Sequence, residues 1–521
     1  MKRSVLIVVA AGIVGYTGAA STTTLVEGSD AFQSARGDTA SKVVPPRNVV
    51  IILSDDHRYD FMGFMDRAPA FLQTPSLDRM AAGGLHIRNA FVTTALCSPS
   101  RASILTGQYA HRHGVVDNSS PIPAGTVFFP QHLQRAGYAT AYIGKWHMGE
   151  DEGSDRPRAG FDHWISFRGQ GVYVDPTLNI NGRSTAVRGY ATDVLTDSAV
   201  AWLRRRDQGA TATPFFLMLS HKATHAEFTP PARYATRYDS VRIPYPPTMA
   251  NTEANYRDKP RWVRAQRGSW HGVDYAYHGT LDFDDFYRSY GETLLAMDDG
   301  IGQVLDELER SGLAGSTLVL YMSDNGFMLG EHGLIDKRNA YEESIRIPMI
   351  AWAPGWIRPR STLETPVRNI DIAPTVLQLA GVSWPDSLPL DGRSVLGSLG
   401  GTTPTGPSRL PGTERASQQG AASPEFLYEY FWEYAFPHTP TTFALRNERF
   451  KYIYYHGVWD LSELYDLATD SLEQTNLINV PAYADTVRAM RTRLFDQLQR
   501  TGGMQVPIRR GDWQAAERKV P

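Results

Sequence analysis

Short, nearly continuous apolar runs recur along the chain, and each ends in a group of polar, reactive side chains. The four clearest runs are residues 48–54, 139–144, 215–220 and 317–323. Such runs are typical of strands that are buried on both faces of a mainly parallel sheet. Ligands bind these sheets beyond the carboxyl ends of the strands. The four polar groups are therefore predicted to converge on one site of an α/β fold.

Apolar residues at helical spacing predict helices that flank this large sheet. One apolar stripe covers residues 294–308, and another covers residues 487–498 near the C-terminus. The adjacent Asp298 and Asp299 fall inside the first of these helices. We expect both carboxylates to lie on its solvated face.

A change in composition divides the chain. Residues 397–424 are rich in Gly, Thr, Pro, Ser and Gln, cannot build a core, and are predicted to form a linker or loop. Residues 44–396 before it are predicted to form the main domain, which carries the polar groups. Residues 425–505 after it are predicted to form a smaller antiparallel α+β subdomain. Its aromatic side chains are expected to serve packing rather than chemistry. Residues 506–521 are predicted to be a tail.

The N-terminus has the layout of a secretory signal peptide. Lys2 and Arg3 precede an apolar run over residues 5–14, and small residues follow. This run is too short for a typical membrane span, which leaves an uncleaved anchor as the alternative. We predict a cleavable signal over residues 1–20, a flexible lead-in over residues 21–43, and a secreted or periplasmic protein without a stable membrane span.

The charge balance excludes some partners. The chain has 52 basic and 55 acidic residues and a net charge of −3. A general nucleic-acid or membrane-surface binder would show a basic excess. An anionic substrate remains compatible with this total, because a small basic pocket can lie within a nearly neutral protein.

Cys97 is the only cysteine of the chain, so it has no internal disulfide partner. Ser98 and Pro99 suit the start of a helix, and Gly107 suits its end. Cys97 is therefore predicted at a helix N-terminus, where free N–H groups and the helix dipole favour a bound anion. The alternative is an ordinary buried cysteine that acts as a small apolar side chain.

The polar groups at the strand ends supply three kinds of chemistry. Carboxylate and amide oxygens favour hard cations such as Ca²⁺ or Mg²⁺; basic side chains suit a tetrahedral anion, and histidines move protons near neutral pH. No Cys-x-x-Cys spacing supports zinc. The oxygen donors are Asp55, Asp56, Asp324 and Asn325, the cations are Arg101, Lys145 and Lys337, and the histidines are His147 and His225.

Taken together, these motifs resemble the sulfatase family, within the alkaline-phosphatase-like superfamily. The resemblance extends from about Asn48 to the C-terminal helix and implies a large sheet with a smaller C-terminal subdomain. It rests on Cys97-Ser-Pro-Ser-Arg101 with Thr106-Gly107, Gly144-Lys-Trp-His147, Ser323-Asp-Asn-Gly-Phe-Met-Leu-Gly-Glu-His-Gly333, Asp336-Lys-Arg338, Tyr341-Glu-Glu343, Asn369-Ile-Asp-Ile-Ala-Pro-Thr375 and Leu464-Tyr-Asp-Leu467.

The resemblance implies a role for each strand-end residue. Cys97 would be oxidised to formylglycine by dedicated machinery before folding, and residue 97 would bind Ca²⁺ together with the four oxygen donors. Arg101, Lys145 and Lys337 would bind the sulfate. His225 would protonate the leaving oxygen, and His147 would take the proton that releases sulfate. In the family a proline usually precedes the acid histidine, whereas Thr224 does so here, and His221 is the alternative acid.

Substrate choice is also expected from resemblance. Residues 330–332 and 255–262 are similar to sulfatases that act on sulfated glycans, including the N-acetylglucosamine-6-sulfatase type, and His332 is the predicted substrate contact. The basic, aromatic segment 261–271 could stack a sugar, or it could be a solvated helix with ordinary packing.

These observations imply an exported, calcium-dependent sulfatase whose substrate is a sulfated carbohydrate. The alternatives are an arylsulfatase of broad specificity or a phosphonate or phosphate-ester hydrolase that uses the same formylglycine. The complete set of candidate catalytic residues argues against a third possibility, a non-catalytic glycan-binding protein.

Overall fold

A computed structural model describes residues 45–149, 153–206, 212–275, 277, 282–400 and 425–507. The predicted signal peptide and lead-in lie outside the described residues. So do residues 401–424 of the predicted linker and residues 508–521 of the tail. In the part of the chain that is described, no helix is long and apolar enough to cross a membrane.

The regular elements begin and end as follows. The strands are β1 (Asn48–Ser54), β2 (Leu85–Ile87), β3 (Ala90–Phe91), β4 (Ala139–Lys145), β5 (His163–Phe167), β6 (Thr177–Ile180), β7 (Arg183–Ala186), β8 (Phe215–Ser220), β9 (Thr317–Ser323), β10 (Met328–Leu329), β11 (Ile335–Asp336), β12 (Met349–Trp352), β13 (Ser361–Leu363), β14 (Val367–Arg368), β15 (Phe426–Tyr430), β16 (Thr442–Arg446), β17 (Phe450–Tyr455) and β18 (Glu463–Asp466).

The α-helices follow the same chain order. They are α1 (Pro75–Gly83), α2 (Cys97–Thr106), α3 (Ala110–His113), α4 (Pro130–Arg135), α5 (Ala191–Leu203), α6 (Glu253–Tyr256), α7 (Arg261–Ala265), α8 (Phe283–Arg310), α9 (Glu342–Ile345), α10 (Ile372–Leu379) and α11 (Ala484–Thr501).

The main sheet has ten strands in the order β13-β2-β12-β9-β1-β8-β4-β5-β6-β7. The central strands β9, β1, β8, β4 and β5 are parallel to their neighbours in this group. Strand β12 runs antiparallel between β9 and β2, and β6 and β7 are antiparallel at the other edge. The mainly parallel sheet predicted from the apolar runs is confirmed, with antiparallel strands added towards its edges.

Both faces of this sheet are buried, as the continuous apolar runs predict. In β1, Val49, Ile51 and Leu53 join the core on one face, and Val50 and Ile52 join the core on the other. Helices α1, α5 and α8 cover the second face, and α2, α4 and α10 cover the first. When helices cover both faces of a sheet, ligands can reach its central strands only at their ends. The polar groups that follow these strands lie at their carboxyl ends.

A smaller antiparallel sheet follows in the C-terminal region, in the order β15-β16-β17-β18. Met490, Leu494 and Leu498 of α11 pack on one of its faces, and Tyr428 and Tyr465 belong to the core of the main sheet. Three of its strands and the helix agree with the sequence pattern. Strand β18, with the sequence Glu-Leu-Tyr-Asp, is too short and too acidic to stand out.

The predicted solvated position of Asp298 is wrong. Its carboxylate is buried and accepts hydrogen bonds from the backbone N–H groups of Ser76 and Leu77, both at 2.9 Å. These donors belong to the first turn of α1, where free N–H groups attract negative charge. Asp299, one residue further, is half-buried and pairs with Arg233. The helical pattern of α8 does not reveal that another helix begins against its polar side.

Candidate active site

The carboxyl ends of β1 and β9 place four oxygen donors side by side. The two strands are parallel, with Ser54 in register with Ser323. The residues that follow them therefore meet, and the backbone N–H of Asp56 donates to Asp324 Oδ1 at 3.2 Å. Ligand oxygens of Asp55, Asp56 and Asp324 lie within 4.8 Å of one another.

The donor set fits a hard cation. Three carboxylates at this spacing repel one another, and all are fully buried. Asn325 Nδ2 donates to Asp56 Oδ1 at 2.6 Å, whereas Asn325 Oδ1 is buried and has no hydrogen-bond partner in the described residues. A buried acceptor without a donor is costly unless a positive group completes it. Oxygen ligands alone are the set that Ca²⁺ or Mg²⁺ prefers.

Cys97 is the first residue of α2, as the sequence predicts. The preceding residue is extended, and the helix ends at Gly107, whose φ of +68° needs the left-handed region that glycine adopts freely. The Cys97 Sγ lies 3.5 Å from Asp55 Oδ1, next to the oxygen donors. Burial and the charge of Asp55 raise the pKa of the thiol. Ser98 does not cap the helix, because its hydroxyl donates to the His147 carbonyl.

Three buried cations pair with the carboxylates. Arg101 Nε donates to Asp324 Oδ2 at 2.8 Å, and Lys337 Nζ lies 2.7 Å from Asp56 Oδ1. Lys145 contacts Asp55. Burial opposes the charge of Asp55, but Lys145 and other cations outweigh it and hold its pKa well below the usual value.

Burial also dominates Asp56, the second of these carboxylates. Together with the charges of Asp55 and Asp324, which oppose the effect of Lys337, burial raises the pKa of Asp56 to about 7. The site therefore concentrates charges of both signs in a volume from which water is excluded.

Two of the predicted histidines, His147 and His225, line a large cavity that lies beside this cluster. Burial, followed by the charge of Lys145, lowers the pKa of both His147 and His225 well below the usual value. His225 Nδ1 contacts the Ala226 carbonyl, which can only accept, so Nδ1 carries the proton. His225 Nε2 lies 3.9 Å from Asp56 Oδ2 and is the atom left for proton exchange.

Two other histidines lie elsewhere. His221 is buried, has no hydrogen-bond partner for either ring nitrogen in the described residues, and does not line the cavity. Its ring is therefore poorly placed to act as the acid. His332 is buried with its ring 4.3 Å from that of Tyr341 and is also absent from the cavity lining. We therefore do not carry the predicted substrate contact of His332 further.

A cavity of about 1030 Å³ opens above the cluster. Its lining includes Trp270 and His271 from the basic, aromatic segment singled out in the sequence. Trp262 of the same segment instead packs against Tyr455. The segment is therefore neither wholly a sugar platform nor wholly a solvated helix.

Several residues of the cavity were not found by sequence reasoning. Gln170 and Tyr173 come from the loop after β5, and Lys222 follows β8. Gln170 Oε1 accepts a hydrogen bond from Lys145 at 2.5 Å, and the Tyr173 hydroxyl donates to the His225 carbonyl at 2.6 Å. No local motif marks these side chains, although Lys222 lies within the polar group that follows a predicted strand.

The C-terminal region also reaches the cavity, which the prediction of a purely packing role did not include. Glu433 and Phe436 line the cavity. Arg338 Nε donates to Glu433 at 2.7 Å, and its guanidinium carbon lies 3.8 Å from the centre of the Phe436 ring. His271 also stacks on Phe436, with 4.5 Å between the ring centres. The connection between β15 and β16 thus completes a wall of the cavity.

Comparisons with known proteins agree with this geometry. A family model described as Sulfatase matches residues 47–382, and a second one, described as N-sulphoglucosamine sulphohydrolase, C-terminal, matches residues 330–500. An N-acetylglucosamine-6-O-sulfatase of Bacteroides thetaiotaomicron is 30% identical over 87% of this chain and 86% of its own length. A human N-acetylglucosamine-6-sulfatase is 29% identical over 82% of this chain and 80% of its own.

A solved structure supports the same relation. A protein in complex with its substrate D-glucosamine-2-N,6-O-disulfate superposes with a TM-score of 0.76 and 29% identity, over 89% of this chain and 99% of the other.

Proposed function

The chain belongs to the sulfatase family and is a sulfuric ester hydrolase, and we propose that it is an exported enzyme that cleaves a sulfated saccharide of the N-acetylglucosamine-6-sulfate type. The observation that carries this proposal is the convergence of Cys97, the four oxygen donors and three paired cations in one buried cluster, of which Lys337 lines a large cavity together with His147 and His225. The export part rests on the predicted signal peptide at residues 1–20.

We propose that Asp55, Asp56, Asp324 and Asn325 hold Ca²⁺, and that residue 97 completes the ligand set as formylglycine. Mg²⁺ has the same donor preference and is the alternative ion. Bound together, these groups would supply the nucleophile and neutralise charge on the sulfuryl oxygens. The unpartnered Asn325 Oδ1 supports this assignment, because a cation would satisfy it.

The cations of the chain hold the sulfuryl group in place. Arg101, Lys145 and Lys337 are buried, and each is fixed by at least one carboxylate. Gln170 orients the Lys145 ammonium group through its amide oxygen. Charges fixed before the substrate arrives need little reorganisation during the reaction, which is the main source of electrostatic stabilisation in enzymes.

The two cavity histidines move the protons. His225 Nε2 is the position from which a proton reaches the leaving oxygen, and the tautomer is set by the Ala226 carbonyl at Nδ1. His147 is held in its neutral form by burial and by Lys145, so it is ready to accept a proton at neutral pH. An anionic substrate beside His225 would offset the cations that lower its pKa and favour the protonated acid.

The outer wall of the cavity suits a sugar. Asp336, Arg338 and Glu433 present charged hydrogen-bonding groups, and Trp270 and Phe436 present rings to the same space. Carboxylates and guanidinium groups bind hydroxyls, and aromatic rings cover the apolar face of a sugar ring. This combination favours a saccharide over a simple aryl ester as the natural substrate.

The proposal is tested by sulfate release from a panel of defined substrates. We expect turnover of N-acetylglucosamine-6-sulfate to exceed that of the same sugar sulfated at another position. An aryl phosphate, measured beside an aryl sulfate, separates the sulfatase from a phosphate-ester hydrolase. Turnover of the phosphate but of no sulfate ester would contradict the proposal.

The form of residue 97 is tested separately. In active protein the tryptic peptide with residue 97 should be lighter than its thiol form, react with hydrazides and resist thiol alkylation. Cys97→Ser should bind substrate without turnover, because the serine sulfate ester has no second hydroxyl to expel sulfate. A fully active Cys97→Ser variant, or active protein with only free thiol at this position, would refute the mechanism.

A further inference from the structure

Lys222 is a buried cation of the cavity lining, and none of the residues that the structure describes pairs with its charge. The residue is only 5% exposed, yet it contributes to the cavity lining. Among the described residues, no carboxylate, carbonyl or hydroxyl group forms a hydrogen bond or an ion pair with its ammonium group. Its ammonium group packs over the Tyr173 ring, whose centre lies 4.7 Å from Nζ.

The other basic side chains of the cavity differ in this respect. Lys337 pairs with Asp56, and Arg338 pairs with Asp336 and Glu433. Burying an ammonium group costs much hydration energy unless an opposite charge replaces the water. The cation–π contact with Tyr173 returns only part of that cost. Because Lys222 lines the cavity, an anion bound there would meet a charge that no carboxylate among the described residues neutralises.

The position of Lys222 identifies which anion this is. It lies in the loop after β8, between the strand end and His225, and its backbone carbonyl accepts from the His225 N–H. The charges of Lys145, Asp55 and Asp56 are near enough to influence its pKa. Burial, followed by Lys145, lowers its pKa to about 8, so it still carries a positive charge at pH 7. The backbone contact and the shared cavity lining place Lys222 beside His225, the proposed acid.

We propose that Lys222 is a further substrate-binding residue, and that its ammonium group binds an oxygen of the sulfate ester being cleaved. The inference rests on the proposed function and extends it. Lys222 adds to the site a cation that no carboxylate among the described residues holds back. Its free charge would stabilise the ester and its transition state together with the three paired cations.

The test compares Lys222→Met, which keeps the length of the side chain and removes the charge, with Lys222→Arg, which keeps the charge. Lys222→Met should lower kcat/KM by about 10- to 100-fold, the usual range for one hydrogen bond to a charged group. The loss should be similar for N-acetylglucosamine-6-sulfate and for glucosamine-2-N,6-O-disulfate. Lys222→Arg should recover a large part of it, and product inhibition by inorganic sulfate should weaken in parallel with the loss of charge.

A second buried lysine provides the matched control. Lys259 also stacks on tyrosine rings, but it donates to the Tyr465 hydroxyl and the Glu473 carbonyl and lies outside the cavity. Lys259→Met should lower Tm and leave sulfate inhibition unchanged. Lys222→Met should leave Tm unchanged or raise it, because an unpaired buried charge is removed.

An anion-binding measurement separates this inference from the proposed function. Sodium sulfate should raise the Tm of the wild-type protein above that in chloride of equal ionic strength, and should do so less for Lys222→Met. If no sulfate ester is turned over, the proposed function fails, whereas the thermal-shift comparison still tests Lys222. Equal anion responses in both proteins would overturn the inference, and so would a loss of turnover confined to the disulfated substrate.

Discussion

Asn325 provides the sharpest test of the cation site. Asn325→Ala removes Oδ1, the buried oxygen without a partner, together with the two hydrogen bonds donated by Nδ2. It leaves the carboxylates of Asp55, Asp56 and Asp324 in place. The variant therefore separates loss of one ligand from loss of the negative charge that attracts the ion.

The size of the effect follows from binding linkage. Calcium at 100 times its Kd stabilises a folded protein by about 2.7 kcal/mol, because it binds only the native state. Loss of one ligand that weakens binding about 100-fold would leave about 0.4 kcal/mol at the same concentration. The entropy of unfolding is about 2.1 cal/mol/K per residue. For a chain of this length, a change of about 1 kcal/mol in unfolding free energy therefore shifts Tm by about 1 °C. The calcium-dependent rise in Tm should therefore fall from about 3 °C to less than about 1 °C.

The assay is differential scanning fluorimetry on protein freed of metal by a chelator and then titrated with calcium chloride. Sodium chloride of equal ionic strength and magnesium chloride serve as separate arms. Asn476→Ala is the matched control, since Asn476 is also buried but uses both side-chain atoms in hydrogen bonds. It should lower Tm without changing the calcium-dependent increment.

Two results would refute this reasoning. One is a wild-type Tm that neither calcium nor magnesium changes. The other is an Asn325→Ala variant whose calcium-dependent increment equals that of the wild type. Preference for magnesium over calcium would keep the donor set and change only the identity of the ion.

Three further predictions test other parts of the molecule. His225→Ala should lower kcat/KM on sugar sulfates by about 10²- to 10⁴-fold and on nitroaryl sulfates less, because an activated phenolate leaves without a proton; equal losses would contradict its role as the acid. Burial opposes the charge of His111, but the Glu429 carboxylate at 2.7 Å outweighs it and raises the pKa of His111. This stabilisation is full below the unfolded pKa of about 6.5 and is lost as pH rises through the folded pKa. His111→Gln should therefore lower the unfolding free energy, measured by urea denaturation, more at pH 6 than at pH 9. A loss of the same size at both pH values would contradict the pairing. Asp298→Ala should lower the unfolding free energy by about 1–3 kcal/mol, since two N–H donors of α1 lose their acceptor, whereas the half-buried Asp299→Ala should cost at most about 1 kcal/mol; equal costs would contradict the capping role.

Much of the floor of the site could be predicted from local patterns. Asp55 and Asp324 each follow an apolar run of strand length, and parallel strands bring their carboxyl ends to one edge. Cys97 follows the same logic, because a helix start can be identified from its own residues and the glycine that ends it. These predictions succeed because strand and helix signals depend on residues that are close in sequence.

The walls of the cavity could not be predicted in this way. Lys222, Gln170 and Phe436 carry no motif, and they meet only because the loops after β8 and β5 and the connection after β15 fold over the same strand ends. Asp298 shows the same limit, since its burial depends on a helix more than two hundred residues away in the chain. His332 is a second example, because it belongs to a recognised motif and yet its ring is buried against Tyr341.

The sequence alone determined which segments become buried strands and covering helices, and which polar residues end them, because periodicity and capping are properties of neighbouring residues. It also identified the family through the residues around Cys97 and Lys145. Only the tertiary structure decided the strand order β9-β1-β8-β4, the pairing of each cation with its carboxylate, and the free charge of Lys222. Those depend on contacts between distant parts of the chain, where burial and charge are set by whichever side chains the folded backbone brings together.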